Sequence, residues 1–89
     1  MRFAPGRIVA TPGALKAMAA AGLEPAALLD RHLNGDFGDL CPEDRAENEW
    51  ALKRELRILS SYPLSTGQKI WIITEADRSC TTFLLPSEY

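Results

Sequence analysis

His32 is the only histidine in this 89-residue chain, and so the one side chain whose ordinary pKa lies near neutrality. It is the natural candidate for moving protons. Arg57 and Arg78 carry planar guanidinium groups that can grip a phosphate or carboxylate through two parallel hydrogen bonds, and Thr81 offers a hydroxyl to the same anion. A His, two Arg and a Thr would suit metal-free cleavage of RNA, with acid–base groups moving protons and arginine stabilising charge on phosphorus. Asp36, Asn48, Glu75, Asp77 and Thr82 are candidate binding residues, because polar groups at element ends are where binding usually happens. These residues also have a plainly structural account. Arg31 and His32 would complement the dipole at a helix C-terminus, and exposed ion pairs and sheet-face threonines are commonplace.

What the sequence lacks narrows the chemistry. It contains no Gly-rich phosphate loop, paired-Cys metal motif or nucleophile elbow, so no cofactor is expected. One histidine excludes a multi-histidine metal site. Cys41 and Cys80 have no metal spacing and are too few for a disulfide scaffold, which reads as reduced thiols in the cytoplasm. The loop Gly35-Asp36-Phe37-Gly38-Asp39 gathers carboxylates but does not match an Asp-rich calcium loop. A net charge of -2 and a pI near 5.3 argue against a general nucleic-acid binder, leaving RNA only a local basic patch. No apolar run approaches the roughly 20 residues needed to cross a bilayer, and the N-terminus lacks the apolar core of a secretory signal.

The elements that must position these groups are legible in outline. One modest core is all that 89 residues can bury. Met1 to Ala10 forms an arm, in which Arg7 to Ala10 is either a short edge strand or a surface segment. Thr11-Pro12-Gly13 starts a helix, with Thr11 as its cap and Gly22 as its stop. Leu15, Met18 and Ala19 share a stripe, and its alanines suggest close approach to another element. A second helix runs from Pro25 to Leu33 and stops at Asn34-Gly35. A third runs from Pro42 to about Leu56, with Glu49 and Lys53 spaced for an i,i+4 pair; Asn48 and Trp50 are its unusual members. From Arg57 onward three β-favouring runs separated by two polar turns describe an antiparallel meander. Its middle run, Ile70 to Ile73, is apolar on both faces and belongs in the core. The expected fold is α+β, about three N-terminal helices packed on a three-stranded antiparallel β-meander. It is one domain, with an arm at 1–10, a helical part at 11–56, the meander at 57–86 and a tail at 87–89.

Several stretches carry a resemblance. Thr11-Pro12-Gly13-Ala14-Leu15, Arg31-His32 with Gly35-Asp36-Phe37-Gly38, Arg57-Ile58-Leu59-Ser60, Lys69 to Ser79 and Leu84 to Tyr89 resemble a group of small bacterial proteins on plasmids and integrated mobile elements. Members of that group are often labelled as a restriction-system modification subunit, although 89 residues cannot hold a nucleotide-cofactor methyltransferase domain. Arg57-Ile58-Leu59-Ser60-Ser61, Ile70-Trp71-Ile72 and Thr81-Thr82-Phe83 are similar to the C-terminal strands of barnase-like ribonucleases. The first resemblance implies an accessory protein of a mobile element, acting by binding a host or element protein in an anti-defence or regulatory role. The second implies a metal-free ribonuclease or toxin. That family places a catalytic His in the final turn, where this chain has Asp77-Arg78, so the residues that would serve here are those named above, His32, Arg57, Arg78 and Thr81. A structural homodimerisation domain is the third expectation, motivated by the two apolar faces of the middle strand.

Overall fold

The structure is a computed structural model and describes residues Met1–Tyr89. The elements follow in the order β1 (Arg7–Ala10), α1 (Pro12–Ala20), α2 (Pro25–Leu33), α3 (Pro42–Arg54), β2 (Ile58–Pro63), β3 (Lys69–Thr74), β4 (Cys80–Leu84) and a closing 3-10 turn at Pro86–Glu88. Proline stands in the first turn of all three α-helices, where its missing N–H leaves nothing unpaired. The Thr11 hydroxyl accepts from the Ala14 amide at 3.0 Å and caps α1.

The sheet corrects the expected three-stranded antiparallel meander. It has four strands in the order β1-β4-β3-β2 and is mixed, because β1 runs parallel to β4. A hairpin partner announces itself through a nearby turn, whereas a parallel partner lies far along the chain and leaves no local signal. Here Arg7 pairs with Cys80 and Ala10 with Phe83. Gly6 makes the entry to β1 possible. Its φ is +65°, and a Cβ there would collide with the Arg78 carbonyl oxygen. The final residues are also less idle than a tail, since Glu88 accepts from the Thr11 hydroxyl and the Leu85 amide, each at 2.7 Å.

Alternation along the strands divides the sheet into two faces. The inner face carries Ile58, Ser60 and Tyr62 on β2, Ile70, Ile72 and Thr74 on β3, and Thr81 and Phe83 on β4, all fully buried or nearly so. Ala14, Ala17 and Met18 of α1 and Leu28 of α2 close over Tyr62, Ile70, Ile72 and Phe83 as the main core. Small alanines let α1 lie close to the sheet. The buried stripe is therefore Ala14-Ala17-Met18, and the expected Leu15 is half exposed. A second cluster joins Phe37, Ala51 and Ile58, with Phe3 packed against it.

α3 lies across the β2 edge and turns an amide, not an apolar stripe, inward. Asn48 Nδ2 donates to the Leu59 carbonyl at 2.6 Å, and its Oδ1 accepts from the Leu59 amide at 3.1 Å. Two residues further along, the Ser61 amide donates to the Phe37 carbonyl and the Ser61 carbonyl accepts from the Asp39 amide. Together these contacts occupy the hydrogen-bonding groups of an edge strand that would otherwise be free to pair elsewhere. Gly38 permits the approach: its φ is +77°, and any Cβ there would strike the Ser61 carbonyl oxygen.

The outer face has no helix on it. Leu59, Ser61, Trp71, Ile73, Thr82 and Leu84 point this way. Only the 3-10 turn and Tyr89 fold back over it, with the Tyr89 ring 5.7 Å from that of Trp71. No helix is long and apolar enough to cross a membrane.

Candidate functional site

The four residues expected to act together in catalysis fall into three separate places. His32 and Thr81 meet on the inner face, linked through Thr74. The His32 Nε2 lies 2.9 Å from the Thr74 hydroxyl, which lies 2.7 Å from the Thr81 hydroxyl, and Thr81 donates to the Pro5 carbonyl at 2.7 Å. The other ring nitrogen, Nδ1, is bonded to Ser60 Oγ.

Those contacts fix the proton positions. Pro5 offers only an acceptor, so Thr81 spends its one O–H there and must accept from Thr74. Thr74 must then accept from His32, which puts the imidazole proton on Nε2 and leaves Nδ1 to accept from Ser60. Every member is satisfied by a neutral imidazole. A second ring proton would make Nδ1 a donor to Ser60 Oγ and take from the Ser60 hydrogen the acceptor it now uses. Burial acts the same way and pushes the His32 pKa down to about 4. With 0% exposure and the Phe3 ring edge-on at 5.1 Å, His32 touches no surface where a substrate could reach it.

Arg78 sits at the corner between β3 and β4 with φ at 61°. Its guanidinium donates to the carbonyls of Leu56, Glu75, Ala76 and Ala51 at 2.7 to 3.2 Å. Two of these oxygens lie at or just past the C-terminal end of α3, where a cation is favoured. The Phe3 ring separates Arg78 from His32, 5.6 Å from the guanidinium carbon. Arg78 is thus fully engaged as a clamp. Arg57 precedes β2, and alternation puts it with Leu59 toward the outer face. It donates to Glu75 Oε1 at 3.2 Å and to the Tyr89 hydroxyl at 2.8 Å, contacts that raise its pKa further above an already permanent charge.

The expected binding residues are similarly dispersed. Asp36 accepts from Arg31 Nε at 2.7 Å, which holds its carboxyl below the usual range, and its carbonyl accepts from the Tyr62 hydroxyl at 2.6 Å. Burial pushes the Tyr62 pKa up to about 12. Asn48 is committed to Leu59 and Glu75 to Arg57. Asp77 accepts from the Ser79 amide within the β3–β4 turn. Thr82 lies on the outer face, its hydroxyl 3.7 Å from Cys80 Sγ. The expected Glu49–Lys53 partnership gives way to a bidentate Arg2–Glu49 pair at 2.9 and 3.0 Å that ties down the N-terminal segment.

The pocket lies elsewhere. A cavity of about 360 Å³ opens on the outer face, where the 39–44 segment meets β2 and β3. Trp71 and Leu59 form its apolar wall, Asp39, Asp44 and Lys69 its charged rim, and Ser61 a buried polar point within it. Trp71 is the pocket group best suited to recognition; Arg57 lies outside the pocket and is linked to it only through Tyr89, whose ring meets Trp71. Of the pocket residues, Asp39 was weighed from sequence as part of the acidic loop and Asp44 as a polar residue at a helix start, but neither was joined to Ser61 or Trp71. Trp71 carried the one usable signal: a large aromatic on the strand face opposite Ile70 and Ile72, with no second apolar layer in the chain to cover it. A scan of protein-family models, a search of curated proteins and a search of solved structures each returned no match.

Proposed function

We propose that this chain is a small protein-binding module whose contact surface is the helix-free outer face of the sheet, centred on Trp71. The observation that carries this reading is Trp71 itself: a partly exposed indole on a central strand, lining a pocket of about 360 Å³ and met edge-on by the Tyr89 ring, whose hydroxyl in turn accepts from Arg57. Trp, Tyr and Arg dominate the binding energy of protein interfaces when they cluster around a pocket. In the mobile-element setting that the resemblance implies, the partner is a host or element-encoded protein met in the cytoplasm, and the role is anti-defence or regulatory.

The ribonuclease alternative draws no support from His32, whose ring is buried, neutral and bonded at both nitrogens. A second copy of the chain is the other partner to consider, because β1 pairs on one side only and its Ile8 is 49% exposed.

The test is affinity capture from a bacterial host lysate with wild-type protein and with Trp71→Ala, alongside light scattering of the isolated chain. A stoichiometric partner retained by the wild type and lost by the variant, with both melting at similar temperatures, supports the reading. Equal capture by both would overturn it. A mass near twice 9.8 kDa would assign the partner as a second copy.

A further inference from the structure

We infer that the outer-face pocket receives a single arginine side chain presented by the partner. This rests on the outer face being a protein-binding surface and specifies what the pocket in that surface recognises.

Three features of the pocket point to a cation on an aliphatic stem. The first is charge. Of the rim groups, Lys69 reaches Asp39 only at 3.8 Å, while Asp44 takes part in no ion pair. The neighbouring cation, Arg45, is turned away to donate to the carbonyls of Gly38 and Leu40. Two carboxylates against one ammonium leave the rim negative, and Asp44, set in the first turn of α3 beside the Cys41 thiol, has no cationic side chain paired with it. The second is the wall. Trp71 offers an indole, the best aromatic surface for a cation, and Leu59, Leu40 and Pro86 offer apolar surface to methylene groups.

The third is Ser61, which stands directly opposite Trp71 in the β2–β3 register. It is only 4% exposed, and its hydroxyl has no partner within the chain. No fully enclosed polar side-chain atom lacks a partner, so this hydroxyl opens into the cavity. It is a hydrogen-bonding group waiting for a ligand atom. A guanidinium suits all three features: it stacks flat on an indole, pairs with a carboxylate and has N–H groups to spare for a hydroxyl. Lysine has a rounder, more strongly hydrated head and would use the indole less well.

The experiment is an NMR titration of the Trp71 indole N–H, distinguished from the other tryptophan by a Trp50→Phe variant. The probes are N-acetyl-arginine methylamide and its citrulline counterpart, which keeps the shape and loses the charge. So small a ligand should bind weakly, with a Kd of about 1 mM or above. The arginine probe should shift the Trp71 resonance saturably, at least tenfold tighter than the citrulline probe. Asp44→Asn should weaken it by about tenfold while leaving the remaining spectrum in place. An equal response to both probes, or no shift at about 100 mM arginine probe, would overturn the inference. Failure here is distinguishable from failure of the binding surface as a whole. A partner lost on Trp71→Ala but held undiminished by Asp44→Asn would keep the surface and reject the arginine.

Discussion

The two faces of this sheet carry similar residue types and put them to opposite use. The inner face holds a row of hydroxyls and an imidazole, Ser60, His32, Thr74 and Thr81, each 0% exposed. Every one of them is spent on another, in a chain that ends at the Pro5 carbonyl. The outer face holds a tryptophan, a half-exposed arginine and a serine whose hydroxyl is free. Polar groups that are buried must be satisfied within the fold. Groups meant for a partner must stay unsatisfied until it arrives. Proton-transfer chemistry looks most plausible on paper for the inner set, yet that set has no capacity left for a ligand.

Substitutions at the two faces should therefore separate stability from binding. The largest stability loss is expected for His32→Ala. It leaves a cavity beneath Phe3 and strips Ser60 of its acceptor and Thr74 of its donor. Together these cost about 3 kcal/mol or more, a large share of the margin of a small domain, readable as a drop in the urea midpoint. A loss below about 1 kcal/mol would mean that the inner row is not the structural seam described here.

Asn48→Ala comes next. It frees both the amide and the carbonyl of Leu59 on the β2 edge and should cost about 2 kcal/mol. Hydrogen exchange at Leu59 should accelerate more than exchange at Ile72 in the central strand.

Arg57→Ala stands at the bottom of the scale. The guanidinium is 50% exposed and its pair with Glu75 is screened by solvent, so stability should move by no more than about 0.5 kcal/mol. Capture of the partner should nonetheless fall. A strong destabilisation by Arg57→Ala would blur the division between the faces.

Helix starts were legible in the sequence because Thr11-Pro12, Pro25 and Pro42 act locally. The bounds of α2, Pro25 to Leu33, match those expected. The β2, β3 and β4 runs were legible for the same reason, being strings of β-branched and aromatic residues between polar turns. β1 was legible only as one of two readings of Arg7 to Ala10, and its parallel pairing was not legible, since its partner β4 lies some seventy residues away, Arg7 against Cys80. The inward side of α3 also escaped a hydrophobic pattern, because its main contact is an amide: Asn48 is buried while Trp50 is 51% exposed. His32 drew attention by type alone. Whether an imidazole is a catalyst or a filled node depends on two neighbours, Ser60 and Thr74, that approach it only in the folded chain. The pocket is tertiary in the same sense, since Asp44, Ser61 and Trp71 come from three elements.

The most direct measurement is the titration of His32, the only histidine, by NMR of its ring nitrogens alongside stability as a function of pH. The folded pKa, pushed down to about 4, lies below the ordinary value of 6.5. Between those values the unfolded chain binds more protons than the folded one, so acid favours unfolding across that window. Stability should be flat with respect to His32 above about pH 6.5 and fall by about 3 kcal/mol as the pH drops to about 4 and below. The ring should carry its proton on Nε2 at pH 7. A His32 pKa near 6.5, or a proton on Nδ1, would contradict the satisfied inner face and return the imidazole to the list of catalytic groups.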